Sequence, residues 1–337
     1  LKVFKNSIFF DAFLKLFFKV IILWFFFAIF EGAGVSLFYP IIEIYQFGEI
    51  KQDNYLTQFL SSFFSFFGID LTLPFVFTLT FAILATRFLF QYLKDKTISK
   101  ALHDVESKMR DTLVKSLYNS NLSFLLKNKE GEWLSSFSYD VVRARSVIAD
   151  ISNLVGNIFL ITLYVIILCL ISFELFVYCI PIFLVGILIL KSRSNFFEKF
   201  GKNISKSTSN YFTIHEDVMK NIIFIKMKDL VSFFEKKLQI ESKRIASSQY
   251  SVAKQNFRVE AIFGFILLIG IFYILLLSEF VLDLDLFQIA IFLFIINRTT
   301  PCLQNSLKSL LNFLVNIQSL RVIIELIKRA EKMKEEN

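Results

Sequence analysis

Four charged residues stand inside long apolar runs or close to their ends. Glu31 lies within the first apolar run, and Arg298 lies well inside the last one. Arg87 and Arg258 lie nearer the ends of their runs, from where a long side chain can also reach the membrane surface. A charge at membrane depth is costly unless it faces water, an opposite charge or a protein interior. These four residues are therefore the candidates for lining a polar cavity.

No arrangement of residues predicts a reaction on the chain itself. His103 and His215 are far apart and without ligand spacing, so we interpret them as solvated surface residues. The one Gly-Lys pair, Gly201-Lys202, is preceded five positions earlier by Phe196, so the G-x-x-x-x-G-K phosphate loop is missing. We expect no catalytic residue, metal, disulfide or cofactor in this chain, since its cysteines also lack CxxC spacing: Cys169, Cys179 and Cys302.

The composition is that of an integral membrane protein with sizeable polar segments. Of the 337 residues, 55% are hydrophobic and 20% are charged, and the mean hydropathy is +0.60. The formal net charge is +8, but the basic residues lie mostly in two polar segments and near the ends of apolar runs. Membrane topology explains this distribution better than nucleic-acid binding does. We therefore expect no nucleic-acid partner.

The stretch from Ile151 to Leu190 consists of two apolar runs separated only by Phe173 and Glu174. The first run reaches the ~20 residues that a helix needs to cross a bilayer, and the second reaches this length together with the start of the segment that follows it. The two runs therefore predict a membrane hairpin with a short turn. Further apolar runs predict an all-α fold with six transmembrane helices. We place these spans at about 18–45, 74–98, 147–172, 175–198, 255–278 and 286–320, within one membrane domain over 1–327.

The first span follows a basic amino end. No small-x-small cleavage site follows, so we expect this span to be retained. Glu31, Gly32, Gly34 and Pro40 are expected to interrupt it. The chain begins without Met and ends in a charged segment over 328–337, so we expect it to be part of a longer protein.

Two long basic stretches, Lys94 to Ala149 and Lys191 to Arg258, flank the central hairpin. In the first, apolar residues keep a helical period without Gly or Pro, which predicts that span two continues as one long helix. An extension of ~25 residues stands roughly 35 to 40 Å off the membrane. A second helix returns from about Gly131 to Ile151, and the later stretch repeats this shape with a turn near Asn210 to Asn221. The apolar residues of the first helix are Leu102, Val105, Met109, Leu113 and Leu117.

The charge distribution predicts the orientation in the membrane. The segments expected outside carry one basic residue, Lys51, against eight acids, whereas the two long stretches hold ten and fourteen basic residues. Since Lys and Arg favour the cytoplasmic side, we expect both helical hairpins and both termini in the cytoplasm.

A short amphipathic helix is predicted between spans one and two. Its apolar residues recur at i, i+3, i+4, i+7, i+8 and i+11, with Thr and Ser on the opposite side. Such a helix either lies flat in the outer membrane interface or packs on neighbouring spans. The stripe consists of Leu56, Phe59, Leu60, Phe63, Phe64 and Phe67.

Two local sequences resemble those of the membrane domain of ATP-binding-cassette (ABC) exporters. Phe124 followed by Gly131-Glu132-Trp133-Leu134 and, further on, Asp140-Val141 is similar to the return from the family's first coupling helix. Glu216-Asp217-Val218-Met219 followed by Ile225-Lys226 is similar to the segment at its second coupling helix. The resemblance covers nearly the whole chain, because six spans with two long cytoplasmic hairpins form the plan of this family.

The resemblance implies a type I exporter (type IV ABC transporter) membrane fold whose nucleotide-binding domain is not in this chain. That domain, on the same polypeptide or a separate one, would carry ATP and Mg²⁺, and 328–337 would be the linker toward it. The hairpin tips would dock on the domain and transmit its closure. The alternative is that they are ordinary turn hydrophobics, which leaves apolar side chains unburied. The coupling candidates are Leu122, Phe124, Glu216, Met219 and Asn221.

Within the family, the chain resembles the flippase for lipid-linked oligosaccharide in bacterial protein N-glycosylation. The resemblance rests on the Glu31 to Pro40 segment, the amphipathic outer helix, Arg87, Arg258, and Arg298 with Pro301. It implies a homodimer in the bacterial inner membrane and a polyprenyl-diphosphate-linked glycan as cargo. The chemistry agrees, because a diphosphate requires charged, forked donors such as Arg.

Other functions remain open at this point. An exporter of the same family for a peptide or a hydrophobic drug would have a cavity lined by Phe, and the 44 Phe are spread too evenly to decide. A membrane-bound lipid transferase would need clustered Asp, His or Glu at the membrane face, which the scattered carboxylates do not provide. A structural scaffold would not need Glu31 and Arg298 inside its spans.

Overall fold

The computed structural model describes residues 10–48, 55–66, 68, 72–121, 123, 130–177, 180, 194–280 and 286–333. These residues are almost entirely helical. The first three helices are α1 (Phe10–Phe47), α2 (Tyr55–Phe66) and α3 (Leu73–Tyr118). A short helix, α4 (Glu130–Ser135), continues through a π-helical turn, Ser136–Asp140, into α5 (Val141–Ile171). The remaining helices are α6 (Ser194–Lys220), α7 (Ile222–Met227), α8 (Val231–Phe280) and α9 (Leu286–Lys332).

Five segments of these helices are long and apolar enough to cross a membrane: Phe18–Gln46, Leu73–Tyr118, Glu130–Ile171, Val231–Leu277 and Gln288–Lys332. They contain five of the six predicted spans. The fourth predicted span, 175–198, lies mostly outside the described residues. The prediction of an all-helical membrane fold is confirmed.

The first span is not interrupted, contrary to the expectation from its sequence. Helix α1 continues through Glu31, Gly32, Gly34 and Pro40. The glycines instead permit close packing, because a Cβ at Gly32 would overlap the Leu163 side chain of α5. At Gly34 a Cβ would lie 2.8 Å from Leu84 of α3. The glycines therefore set the contacts of α1 with its neighbours.

The long helical hairpins follow the predicted plan. Helix α3 has 46 residues and would be roughly 70 Å long at 1.5 Å per residue, so it extends far beyond its apolar span. Pro74 stands in its first turn, where no helical N–H bond is lost. In the second hairpin the helix does not turn near Asn210 but continues to Lys220, and the chain bends at Asn221.

Three apolar clusters hold the helices together. One lies among the apolar spans and joins α1, α2, α3, α5, α8 and α9; its buried members include Trp24, Leu60, Val76, Leu168 and Phe292. The second lies in the extended part and joins α3, α4, α5 and α9, with Met109, Leu113, Trp133, Val147 and Leu320. The third joins α6 and α8 to α9, with Phe197, Ile204, Phe263, Leu311 and Val315. Helix α9 takes part in all three.

The amphipathic helix α2 packs on the spans by one side. Leu56 and Leu60 are buried in the first cluster, and Phe64 packs against it. Phe59 and Phe63 are exposed on the other side. The predicted stripe is thus divided between protein contact and exposed surface, and its last residue, Phe67, lies outside the described residues.

Candidate functional site

Glu31 and Arg87, two of the four candidate charges, form an ion pair between α1 and α3. Glu31 is 5% exposed, and the Tyr164 hydroxyl of α5 donates a hydrogen bond to its Oε1 at 2.9 Å. The Arg87 guanidinium also lies over the rings of Phe27 and Phe88, at 5.4 and 4.9 Å from their centroids. The carboxylate therefore faces an opposite charge inside the protein, and Arg87 is held by one ion pair and two cation–π contacts.

The other two candidates, Arg258 and Arg298, have no ion-pair partner among the described residues. Arg298 is exposed on α9, and its guanidinium lies 5.5 Å from the centroid of the Phe294 ring. Arg258 is exposed on α8. The structure thus separates the four candidates into a neutral pair and two available cations, a distinction that the sequence did not show.

A polar face along α9 continues from Arg298 toward the hairpins. Its residues recur every three or four positions, which places them on one side of the helix. Lys308 pairs with Glu260 of α8, and Asn256 of α8 donates to Asn312 at 3.5 Å. Sequence reasoning missed this face, although its spacing was a readable signal. Its polar residues are Arg298, Asn305, Lys308 and Asn312, and Pro301 lies on the same side of the helix.

Lys94 is a further buried cation that the sequence did not single out. Its ammonium lies 3.8 Å from the Trp24 ring centroid and 4.5 Å from that of Phe27, and it pairs with Asp95 at 3.4 Å. Trp24 in turn donates its indole N–H to Ser152 at 3.3 Å. Cation–π contact and one carboxylate satisfy this charge, so its role is to join α1, α3 and α5.

In the extended part, Arg143 of α5 joins three helices. Its guanidinium donates to Ser205 of α6 at 3.3 Å, to Asn316 Oδ1 of α9 at 3.3 Å and to the Val315 carbonyl at 3.0 Å. Ser205 donates to the buried Asp140 at 3.5 Å. The two hairpins are therefore connected to α9 through hydrogen bonds as well as through apolar packing.

The two helices of the first hairpin are bridged by Glu106 of α3. It accepts from Arg145 of α5 at 2.6 Å and pairs with Arg110 of its own helix at 2.7 Å. His103 lies 3.7 Å from the same carboxylate and is exposed, in keeping with a surface residue. This cluster stiffens the hairpin as one unit.

The far ends of the hairpins meet each other. Lys220 pairs with Glu130 at 2.5 Å and with Glu216 at 2.6 Å, and these hydrogen bonds raise the pKa of Lys220. A Cβ at Gly131 would overlap the backbone of Thr213, so α4 and α6 touch here with no room for a side chain.

The predicted coupling residues have different positions in this region. Glu216 is engaged with Lys220, and Asn221 donates to the Asp217 carbonyl at 3.0 Å. Met219 is 62% exposed and borders an exposed apolar surface. Leu122 and Phe124 lie outside the described residues. The exposed apolar side chains beside Met219 are Ile222, Ile223, Phe224 and Met227.

The carboxyl end of α9 lies beside the tip of the first hairpin. The Asn121 N–H donates to the Met333 carbonyl at 2.8 Å, and Arg329 pairs with Glu132 at 3.5 Å. Residues 328–332, expected as part of a linker, are the last turn and a half of this helix.

A family model described as "ABC transporter transmembrane region" matches residues 21–297. Among solved structures, that of a bacterial Atm1-family ABC exporter with ATP bound is similar to this chain, with a TM-score of 0.68 and 12% sequence identity. The similarity covers 98% of this chain and 55% of the exporter chain, so this chain spans about half of the length of that protein. No curated protein matches the sequence significantly.

Proposed function

This chain belongs to the ABC transporter transmembrane region family, and on that premise we propose that it forms the membrane domain of an ATP-driven exporter for an anionic, lipid-linked cargo. The observation that carries the proposal is that two cations, Arg298 on α9 and Arg258 on α8, have no ion-pair partner among the described residues. A guanidinium at membrane depth requires water or an anion. A polar path through the protein would supply the water, and the cargo would supply the anion.

The motor in this proposal is a nucleotide-binding domain that carries ATP and Mg²⁺, as a further part of the same polypeptide or as a separate chain. The hairpin tips would seat on it through Met219 and the exposed apolar side chains of α7. Rigid helices as long as α3 and α8 can transmit its closure to the spans. The domain limits proposed are 1–327 for the membrane part and 328–337 as the start of the connection.

For the cargo we propose a polyprenyl-diphosphate-linked oligosaccharide. Arg258 and Arg298 offer forked, permanently charged donors that suit a diphosphate. Each chain provides only half of a closed path, so two copies would pair around it in the bacterial inner membrane, with both termini in the cytoplasm. Arg87 enters this scheme as the partner of Glu31, which positions the first span.

A peptide or a hydrophobic drug is the alternative cargo. The observation that favours it is the row of exposed rings on α8, including Phe257, Phe265 and Phe272, which an apolar cargo could contact. The two cargo classes differ in what they require from Arg298. Only the anionic cargo needs its charge.

The test measures flipping of a pyrophosphate-linked glycolipid in vesicles that contain the full transporter. We expect Arg298→Ala to lower the flipping rate at least about tenfold, the effect of losing one charge-assisted contact. Lys236→Ala, an exposed cation on the polar part of α8, is the matched control and should leave the rate unchanged. Unchanged flipping by Arg298→Ala, with retained transport of a hydrophobic dye, would favour the alternative cargo.

A further inference from the structure

Helices α6 and α8 enclose a cleft of about 470 Å³ in their polar parts, away from the apolar spans. Its walls carry two cations, Lys206 and Arg244, two amides, Asn203 and Asn210, and three serine hydroxyls. Among the described residues that line it there is no carboxylate. A cleft of this size lies within the ~300–1,000 Å³ of small-molecule sites. Its chemistry is that of hydrogen-bond donors with net positive charge.

The two cations differ in how they are paired. Lys206 is exposed and has no ion pair within the part of the chain that the structure describes. Arg244 forms an ion pair with Glu241 of its own helix, to which it donates one N–H at 2.7 Å. Glu241 is 7% exposed, so it fixes the guanidinium at the edge of the cleft. A guanidinium has five N–H donors, so most of them stay free for a ligand.

A neighbouring cleft shares Lys206 and Asn210 with this one but has a different charge pattern. That cleft, of about 410 Å³, is lined by three cations, Lys202, Lys206 and Arg321, and by three carboxylates, Glu132, Asp140 and Glu325. Its charges balance, and Lys202 and Arg321 also pair with Glu198. Carboxylates would repel an anion in that cleft. No carboxylate lines the cleft between α6 and α8, so its lining does not repel an anion in this way.

We propose that the cleft between α6 and α8 binds the phosphate group of a small ligand, with Lys206 and Arg244 as its charged contacts. Asn203, Asn210 and the buried Ser248 add neutral donors around the oxygens. Phe200 provides an apolar wall for the organic part of the ligand.

This site is distinct from the candidate cargo cavity. Arg244 stands fourteen positions before Arg258 on the same helix, which is about 21 Å along the axis. The proposal therefore does not depend on the identity of the cargo. The phosphate can belong to a free metabolite or to a lipid headgroup that reaches the cleft, and the two sources are separable by experiment.

The test uses calorimetry to measure the binding of inorganic pyrophosphate to the purified chain in detergent. We expect the double variant Lys206→Gln/Arg244→Gln to weaken binding by at least about tenfold, since it removes both charges. Two control variants should bind pyrophosphate with a dissociation constant within about twofold of that of the unchanged protein, because each keeps both cleft charges. They are Lys202→Gln, one turn earlier on α6, and Arg298→Ala, in the candidate cavity. Both cleft residues are exposed, so folding is retained, which the melting temperature checks.

Absence of saturable pyrophosphate binding, or equal binding by the double variant, would overturn the proposal. Displacement of pyrophosphate from the chain in nanodiscs of stated lipid composition distinguishes the two sources of the phosphate. If phosphatidic acid in the bilayer displaces pyrophosphate and phosphatidylcholine does not, the ligand is a lipid headgroup. If neither displaces it, the ligand is a free phosphate compound. Loss of pyrophosphate binding through Arg298→Ala alone would assign it to the cavity and refute the cleft.

Discussion

The ion pair of Glu31 and Arg87 joins two charges that the apolar parts of α1 and α3 could not hold separately. Each charge neutralises the other, and the Tyr164 hydroxyl donates a hydrogen bond to the second carboxylate oxygen of Glu31. Removal of one member of such a pair leaves a buried charge without compensation, which costs more than the pair itself contributes. Neighbouring residues alone therefore determine that Arg87 is part of an ion pair and that Arg298 has no such partner among the described residues.

We predict that Arg87→Ala lowers the free energy of unfolding by about 3 kcal/mol, because it leaves the buried Glu31 without its ion-pair partner. The double variant Arg87→Met/Glu31→Gln should recover much of this loss, since no charge is left behind. Thermal unfolding of the purified chain in detergent measures both effects.

Arg298→Ala is the control for that measurement, because Arg298 has no ion pair among the described residues. It should change the melting temperature little. Equal destabilisation by Arg87→Ala and Arg298→Ala would contradict the assignment of Arg87 to a structural pair.

At the scale of elements, the hairpins are fixed to each other where α4 meets α6. The contact depends on Gly131, which admits the backbone of Thr213, and on the ion pair of Lys220 with Glu130. Arg143 makes a second connection nearer the spans. With two separate points of attachment, we expect the hairpins to move together, as the proposed transmission of a motor's closure requires.

We predict that Gly131→Ala destabilises the chain by about 1–3 kcal/mol, because its methyl group forces α4 away from the Thr213 backbone. Gly264→Ala provides the matched control on α8, where a Cβ would have no neighbour within 4 Å. It should be neutral or slightly stabilising, by up to about 1 kcal/mol. The melting temperatures of the two variants, compared in one detergent, report the difference. Equal effects would show that α4 and α6 do not touch at Gly131.

At the scale of the whole molecule, the hairpins and the end of α9 converge on one end of the structure. Asn121 bonds to Met333, and Arg329 pairs with Glu132. A partner that binds the tips of the hairpins therefore also contacts the end of the last helix. The proposed orientation places this end in the cytoplasm.

Accessibility to a membrane-impermeant maleimide tests that orientation in intact cells, with Cys169, Cys179 and Cys302 replaced by Ala. Ser123→Cys, at the tip of the first hairpin, should be labelled only after the membrane is opened. Glu174→Cys, in the turn between spans three and four, is exposed and should be labelled from outside. The reverse pattern would refute both the topology and the proposed position of the motor.

The sequence by itself determined the five described spans and their order, the long helix α3 and the division between apolar spans and polar hairpins. These follow from hydrophobic runs and from helical periodicity, which act within about twenty residues of chain. They required no knowledge of which helix lies beside which.

Only the tertiary structure decided that Glu31 pairs with Arg87, that Gly32 and Gly34 serve packing instead of a break in α1, and that Arg143 joins three helices. It also assembled the cleft of Lys206 and Arg244 from two helices. Each of these features depends on distances between residues far apart in sequence, and such distances are set by the packing of complete helices. Local patterns report which residues are unusual, whereas packing decides which of them are satisfied and which stay available to a ligand.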